Sequence, residues 1–158
     1  MPISTEDFRN ALSRFASGVT VVTTVDSNGK AFGITVSAFC SVSLEPPLIL
    51  VCIEKTAGSH FAFLESGRFC VNILAEDQEE LSRHFANPQF DKFETIKISD
   101  NQNGLILLDD CCANLVCTVK ANVSAGDHTV FIASVESARV FEKKPLVYFR
   151  GSYGKWST

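Results

Sequence analysis

Residues 19–36 read VTVVTTVDSNGKAFGITV, and this stretch decides the fold. Two runs of mostly apolar and β-branched residues flank a turn-forming cluster, DSNG, at residues 26–29. β-Branched side chains favour strands, and Asn-Gly between two such runs is typical of a hairpin turn. The sequence therefore predicts two antiparallel strands, at 19–25 and 30–36, joined by a tight turn.

Further short strands are predicted along the rest of the chain. The Pro46-Pro47 pair forces an extended entry into the next of them, and Gly126-Asp127 is a turn between two later ones. Seven or so strands joined by short turns favour a closed or nearly closed antiparallel barrel, because closure removes exposed strand edges. The further strands are expected at 48–53, 68–74, 113–123, 129–141 and 146–149.

Three short helices are predicted between these strands. Ser4 with Asp7 forms a capping signal, and apolar residues follow at helical spacing before Gly18. The second helix is expected at 59–65 and the third, with an acidic first turn, at 76–86. Residues 87–104 show no clear period and are interpreted as a functional or contact loop.

Length and composition bound the classes of function. The 158 residues suit a single domain, 1–158, and are 46% hydrophobic and 20% charged with a net charge of −4. A chain without a basic face is a poor partner for nucleic acid or an anionic membrane. Neither a charged and apolar leader nor a long apolar run is found, so a cytoplasmic protein is expected.

The cysteines and the missing motifs narrow the chemistry. The six cysteines have no CxxC spacing and several lie in apolar runs, which favours free buried thiols and no metal. In the vicinal pair Cys111-Cys112, one thiol is expected to be buried and the other exposed. The chain has no GxG, P-loop, GxSxG or HExxH motif, so nothing local favours a Rossmann domain or a hydrolase.

The end of the second hairpin strand is a candidate flavin rim. Thr35 and Ser37 alternate along residues 33–39 and can therefore share one face beside free backbone N–H groups. The pyrimidine edge of a flavin needs such donors and acceptors, and an apolar neighbour such as Val36 could cover its ring. The alternative is that these hydroxyls are ordinary half-exposed strand residues.

Two other segments carry candidate binding residues. Lys55 and Ser59 lie where a strand leads into a helix start, which suits an anion such as the ribityl phosphate; the alternative is a plain helix cap with a solvated lysine. His128 begins a strand after a turn and could point into the barrel mouth. Tyr153 lies in a glycine-loosened tail that suits ring stacking or a subunit contact equally.

These segments together resemble the flavin reductase-like domain family, the short-chain NAD(P)H:flavin oxidoreductases that serve two-component flavin monooxygenases. The likeness covers almost the whole chain, and its specificity comes from order and spacing. The stretches that carry it are Phe8-Arg9-x-Ala11-Leu12-x-x-Phe15-x-x-Gly18-Val19, Gly33-x-Thr35-x-Ser37-Ala38-Phe39, Ser41-Val42-Ser43-Leu44-x-Pro46-Pro47-Leu48, Phe69-x-Val71-Asn72-Ile73-Leu74, Gly126-Asp127-His128 and Tyr148-x-x-Gly151-x-Tyr153.

The resemblance implies a mainly β, Greek-key-like antiparallel fold, the FMN-binding split barrel, assembled as a homodimer. It implies FMN or FAD as cofactor, NADH or NADPH as co-substrate, and a flavin-dependent monooxygenase as partner. The alternative is an FMN-binding electron-transfer module that keeps its flavin and has no nicotinamide-dependent activity. By the resemblance, Thr35, Val36, Ser37 and Ala38 line the isoalloxazine, Lys55 and Ser59 approach the phosphate with Arg83 or His84 as a second cation, and His128 and Tyr153 lie near the nicotinamide.

Overall fold

The computed structural model describes residues 2–88, 91–96, 98–102 and 104–158, which form mainly strands with three short helices. The helices are α1 (Thr5–Leu12), α2 (His60–Ser66) and α3 (Glu79–Ala86). The strands are β1 (Ser17–Gly18), β2 (Thr20–Val25), β3 (Ala31–Val36), β4 (Phe39–Ser43), β5 (Leu48–Glu54), β6 (Arg68–Ile73), β7 (Ile98–Gln102), β8 (Leu105–Leu108), β9 (Ala113–Ala125), β10 (His128–Val140), β11 (Leu146–Phe149) and β12 (Ser152–Lys155).

The largest sheet has seven strands in the order β3-β2-β6-β9-β10-β5-β4, and all its neighbours pair antiparallel. The hairpin predicted from residues 19–36 is confirmed, with Val22 opposite Ile34. Its turn is held by the Asp26 carboxylate, which accepts from the backbone N–H groups of Asn28 and Lys30 at 2.8 and 2.9 Å. Two small antiparallel sheets, β1-β11-β12 and β7-β8, accompany it.

One apolar core joins the two ends of the seven-stranded sheet. Val36 of the edge strand β3 and Val51 of β5, next to the other edge, are buried in the same cluster, against which Phe39 of β4 packs. A flat sheet would keep its outermost strands far apart, so the shared core means that the sheet curls around its own apolar face. Phe63 of α2 lies in the same core, fully buried.

The outer face of the curled sheet carries α3 and the two small sheets. Phe85 of α3, Leu108 of β8 and Leu146 of β11 form a second buried cluster with Val21 of β2. Each of these side chains is at most 1% exposed. The third helix is therefore fixed against strands β2 and β3, which places its C-terminal end beside the sheet edge.

Asn72 is the centre of a buried polar network between four strands. Its amide nitrogen donates to the Val21 carbonyl at 2.9 Å, and its side-chain oxygen accepts from the Leu108 backbone N–H at 3.0 Å and the Asn114 amide at 2.8 Å. Asn72 is fully buried. Buried polar groups stabilise a unique packing only when they are paired, so this residue specifies how β8 docks on β2, β6 and β9.

Several elements differ from their sequence predictions. Strands β1, β4, β7, β8 and β12 were not predicted, and α1 ends at Leu12, well before Gly18. The reason is clear for β12, whose glycine favours a loop but which pairs with β11. Arg150 and Gly151, both with positive φ (52° and 77°), form the two-residue turn that makes this hairpin. The Ser4 cap is confirmed, because its Oγ accepts from the Asp7 backbone N–H at 3.0 Å.

The vicinal cysteines lie in different environments, close to the prediction. Cys111 is buried and Cys112 is half-buried. Burial raises the pKa of Cys111 to about 12, so its thiol stays protonated at neutral pH and is a weak nucleophile. Among the described residues, no helix is both long and apolar enough to cross a membrane.

Replacing Asn72 with alanine should lower the free energy of unfolding by about 2–4 kcal/mol, since it leaves buried backbone and amide groups without partners. Urea unfolding followed by circular dichroism measures this. The matched control is Asn122→Ala on β9, whose side chain is exposed. A loss below about 0.5 kcal/mol for Asn72→Ala would show that the network does not hold these strands together.

Candidate functional site

A cavity of about 550 Å³ opens between the hairpin strand β3 and the segment after β5. Its volume lies in the usual range for nucleotide and cofactor pockets. One wall is the edge strand β3, the second is the strand-to-helix segment before α2, and the third is the end of α3 with the residues that follow it. The lining residues are 30–34, Glu54, 56–59, 85–88, Lys92 and Phe93.

The wall between β3 and α3 is built by a close approach of backbone and ring. A Cβ placed on Gly33 would lie 2.6 Å from Phe85 Cε1, so the glycine makes room for the aromatic ring. Thr35 ties the same elements together, because its hydroxyl donates to the Ser82 carbonyl at 2.6 Å. The larger cavity therefore has a rigid side at this strand.

A smaller pocket of about 210 Å³ lies beside the larger one, and Ala86 lines both. Thr35 and Ser37 line it from β3 and the residue after it, and Tyr148 and Tyr153 from the C-terminal hairpin. The two tyrosine rings meet edge to face with centroids 5.1 Å apart. The result is a small aromatic recess next to a larger cleft, which suits two planar ligands that must approach each other.

Tyr153 connects this recess to α3. Its hydroxyl shares a hydrogen bond with the Ser82 Oγ at 2.7 Å, and the Arg83 guanidinium lies 4.9 Å from its ring centroid. Arg83 also pairs with Glu79 at 2.9 Å, and this hydrogen bond raises the pKa of the guanidinium. A hydrogen bond and a cation–π contact thus fix the tyrosine ring from two sides.

Ser59 and Lys55 point to different places. Ser59 is 7% exposed, lines the larger cavity and does not cap α2 with its side chain. The Lys55 ammonium instead donates to the Ser124 hydroxyl at 2.6 Å and the Gly126 carbonyl at 2.7 Å, at the β9–β10 turn. Because it is bound there, Lys55 is not among the residues that line either cavity.

His128 lies at the same turn, paired across the sheet with Glu54, which lines the larger cavity. Its Nδ1 is 2.7 Å from the Asp127 carboxylate, and this hydrogen bond lowers the pKa of Asp127. The imidazole is 42% exposed. His128 is not among the residues that line either cavity. Its oriented, accessible imidazole can donate or accept a hydrogen bond to a ligand that reaches this turn.

The structure brings together only part of the predicted set. Thr35, Ser37 and Tyr153 share the smaller pocket, and Ser59 lines the larger one. The Val36 side chain lies in the core, 5% exposed, because side chains alternate along β3. Val36 lines neither cavity, and its carbonyl accepts from the Thr20 hydroxyl at 2.6 Å. Ala38 is exposed beyond the strand end and lines neither cavity.

His84 and Lys92 show how the cavity wall continues into the segment after α3. The His84 Nε2–H donates to the Lys92 carbonyl at 2.6 Å, so this imidazole holds the backbone rather than facing a ligand. Lys92 and Phe93, which line the larger cavity, were not predicted. They lie in the aperiodic stretch 87–104, and the only signal for them was the interpretation of that stretch as a functional loop.

The fold and the site thus consist of a curled antiparallel sheet with a nucleotide-sized cleft and an aromatic recess at its edge. Comparison with known proteins assigns the family. The model of the flavin reductase like domain matches residues 12–157. The chain therefore belongs to the flavin reductase-like domain family.

Individual relatives agree with this assignment. The reductase component of the 4-nitrophenol 4-monooxygenase/4-nitrocatechol 2-monooxygenase of Rhodococcus opacus is 39% identical over 97% of this chain and 82% of that protein. The reductase component of the trigonelline monooxygenase of Acinetobacter baylyi is also 39% identical, over 93% of this chain. The chain spans only 47% of the length of that relative.

A solved structure matches over the whole fold. The NADH:FAD oxidoreductase of Streptomyces globisporus, in complex with NAD and FAD fragments, has a TM-score of 0.91 and 31% identity. The match covers 99% of this chain and 97% of the other. The order of strands described above is thus the order of a flavin reductase fold.

Replacing Gly33 with alanine should cost about 1–3 kcal/mol of stability, because the new methyl group must displace the buried Phe85 ring. Urea unfolding measures the loss. Gly18→Ala is the matched control, since nothing lies within 4 Å of its added Cβ. Equal stability of the two variants would show that the α3–β3 contact yields freely and is not the rigid wall described here.

Proposed function

We propose that this protein is an NAD(P)H-dependent flavin reductase that transfers hydride from nicotinamide to FMN or FAD and supplies the reduced flavin to a partner monooxygenase. The observation that carries the proposal is the pair of adjoining cavities at the edge of β3, in a chain of the flavin reductase-like family. Two planar ligands bound in adjoining cavities that share Ala86 can come into contact.

The residues of the larger cavity suit a flavin in size and chemistry. The volume of about 550 Å³ is within the range of cofactor pockets. Phe85 and Phe93, whose ring centroids are 5.3 Å apart, give it apolar surface for a ring system. Thr56 and the buried Ser59 on the opposite wall give it polar groups for the ribityl phosphate.

The remaining site residues are proposed as follows. Ser37 and Ala38, with the backbone of Val36 and the fixed hydroxyl of Thr35, form the rim at which the isoalloxazine edge is recognised. Tyr153 and His128 contact the nicotinamide, with Arg83 holding the Tyr153 ring. Lys55 and His84 have an indirect role. Lys55 holds the β9–β10 turn through its hydrogen bond to Gly126, and His84 holds the backbone of Lys92.

A bound flavin supplies the electron acceptor, and hydride transfer to it needs alignment and stacking rather than a side-chain base. The chain accordingly has to orient two rings and keep water out. The edge-to-face tyrosine pair and the Ser82 hydrogen bond restrict the rotation of Tyr153. Apolar walls at Phe85 and Phe93 exclude water from the reacting faces.

The fold type, the oligomeric state and the cellular location are part of the same proposal. The curled seven-stranded sheet is interpreted as the FMN-binding split barrel, and the protein as a cytoplasmic homodimer, where NADH or NADPH is available. Support for the dimer comes from α1 and the residues just after it. Helix α1 has no buried residue, and its Phe8 and Leu12 are 53% and 54% exposed. Phe15, which follows the helix, is 76% exposed. Such apolar clusters on a surface mark contact sites.

Anaerobic stopped-flow absorbance tests the reductase activity. The protein should reduce FMN or FAD with NADH or NADPH much faster than the free flavin is reduced in solution. A protein that binds flavin without accelerating its reduction would be an electron carrier, and the proposal would be wrong. Because flavin binding is measured separately, a failure to bind flavin is distinguished from a failure to reduce it.

His128→Ala should slow flavin reduction or raise the NADH requirement by about 10-fold, the effect of one lost hydrogen bond, while flavin affinity changes little. Asp127→Asn is the companion variant, because it weakens the hydrogen bond that orients the imidazole. Unchanged reduction in His128→Ala would remove His128 from the nicotinamide site and leave the reductase proposal intact.

Light scattering at micromolar concentration should give twice the 17.3 kDa mass of one chain. Phe15→Glu should shift the mass towards the monomer, since it puts a charge on the exposed apolar side of the α1 region. Arg9→Glu, at an exposed position of α1, is the control and should leave the dimer intact. A monomeric wild type would count against the proposed homodimer.

A further inference from the structure

Lys92 is a half-buried cation on the wall of the larger cavity. Its ammonium donates to the Phe85 carbonyl at 2.8 Å and to the Gly33 carbonyl at 3.0 Å. These carbonyls belong to the end of α3 and to β3, the two elements whose close approach forms the wall. The charge is therefore fixed in position at the cavity surface rather than carried on a mobile chain.

The charge of Lys92 is not offset by a carboxylate within the described part of the chain. Both of its described hydrogen bonds go to neutral carbonyl oxygens, and an ammonium has three donors. Burial lowers the pKa of Lys92. A cation that has lost part of its water and has a donor to spare favours an anionic ligand.

The other charged groups of the cavity lining are Lys30 and Glu54. Lys30 is exposed and its ammonium lies 5.3 Å from the Phe32 ring centroid, so it covers an aromatic face at the rim. Glu54 is exposed on the last position of β5. Lys92 is thus the cation that the cavity holds most deeply among the residues that the structure describes.

The ligands of a flavin reductase carry their formal negative charge only on their phosphate groups. Oxidised flavin rings and dihydronicotinamide are neutral at pH 7, so the phosphates of FMN, FAD, NADH and NADPH are the only anions that these ligands offer on binding. We propose that Lys92 binds a phosphate of the nucleotide that occupies the larger cavity, an assignment that rests on the proposed function.

The sequence analysis predicts Lys55 as the cation that binds the phosphate. Lys55 and Lys92 differ in where the structure places their ammonium groups. The Lys55 ammonium is exposed and held at the β9–β10 turn by Ser124 and Gly126. Lys92 faces the same cavity as Ser59, the buried hydroxyl predicted with Lys55. Lys92 and Ser59 therefore share a cavity, whereas Lys55 and Ser59, which the sequence analysis grouped at one phosphate site, do not.

A purely structural role for Lys92 makes a different prediction. If the lysine only closes the C-terminal end of α3, its loss should weaken all ligands of the cavity to the same degree and lower the melting temperature. A phosphate contact should instead distinguish ligands by their phosphates, because riboflavin has the ring system and ribityl chain of FMN without the charge.

The test is equilibrium titration of Lys92→Met with riboflavin, FMN and FAD, followed by flavin fluorescence, and with NADH, followed by its own fluorescence. Loss of one charge-assisted hydrogen bond should weaken FMN and FAD about 10- to 100-fold and leave riboflavin within about 2-fold. A loss confined to NADH would assign the phosphate to the nicotinamide nucleotide and still support the proposal. The slope of log Kd against log salt concentration should fall for the affected nucleotide.

Three further variants complete the comparison. Lys92→Arg keeps the charge and should retain most of the affinity, which makes the result independent of any folding defect of Lys92→Met. Lys55→Met measures the competing assignment, and Lys120→Met, an exposed residue of β9, controls for a general loss of positive charge. Melting temperatures of all four variants are measured without ligand.

Equal weakening of riboflavin and FMN, or no weakening of any nucleotide, would overturn the proposal for Lys92. Selective loss of FMN affinity in Lys55→Met but not in Lys92→Met would return the phosphate to Lys55. If the wild-type protein binds none of these nucleotides, the proposed function fails instead, so the two failures are distinguishable.

Discussion

Helix α3 packs against strand β3 at the one position where the strand has no side chain. Phe85 occupies the space that a Cβ on Gly33 would need, and the neighbouring hydrogen bonds of Thr35 and Lys92 join the same two elements. Since both cavities are lined by β3 and by the end of α3, their shapes depend on this contact. A larger residue at position 33 would push α3 away from β3, because its side chain would occupy the space of the Phe85 ring.

The curled sheet explains why the contact forms at an edge. Strands β3 and β4 are the two ends of one seven-stranded sheet whose apolar faces share a core. Gly33 and Thr35 of β3 contact α3, while Val36 of the same strand lies in that core. Alternation along the chain therefore divides the predicted flavin segment: Thr35 and Ser37 line the smaller pocket, and Val36 lies in the core of the sheet.

The sequence predicted the strands that have strong local signals and missed those that depend on distant partners. The hairpin of β2 and β3 has β-branched runs and an Asn-Gly turn, so its local preference and its final structure agree. β12 was missed because its glycine weakens strand propensity, and pairing with β11 decides its conformation. The same difference holds for the candidate site. Ser59 and Thr35 were predicted from their neighbours in the chain. Lys92 was missed because it lies in an aperiodic segment, and only the fold brings it to Gly33, 59 positions away.

Under the proposed function the flavin has to leave the protein, and the charges of the candidate site suit such a ligand. A reductase that passes flavin to another protein gains nothing from deep ion pairs, because a fully buried, paired phosphate would dissociate slowly. Among the described residues, the half-buried cation of the larger cavity, Lys92, is already bonded to two carbonyls. Lys30, which lines the same cavity, covers the Phe32 ring, and Arg83 covers the Tyr153 ring of the smaller pocket. In the proposed complex, ring stacking on apolar walls would supply most of the contact area and a single ammonium the discrimination for phosphate. Such a division would let a nucleotide bind selectively without the deep ion pair that slows dissociation.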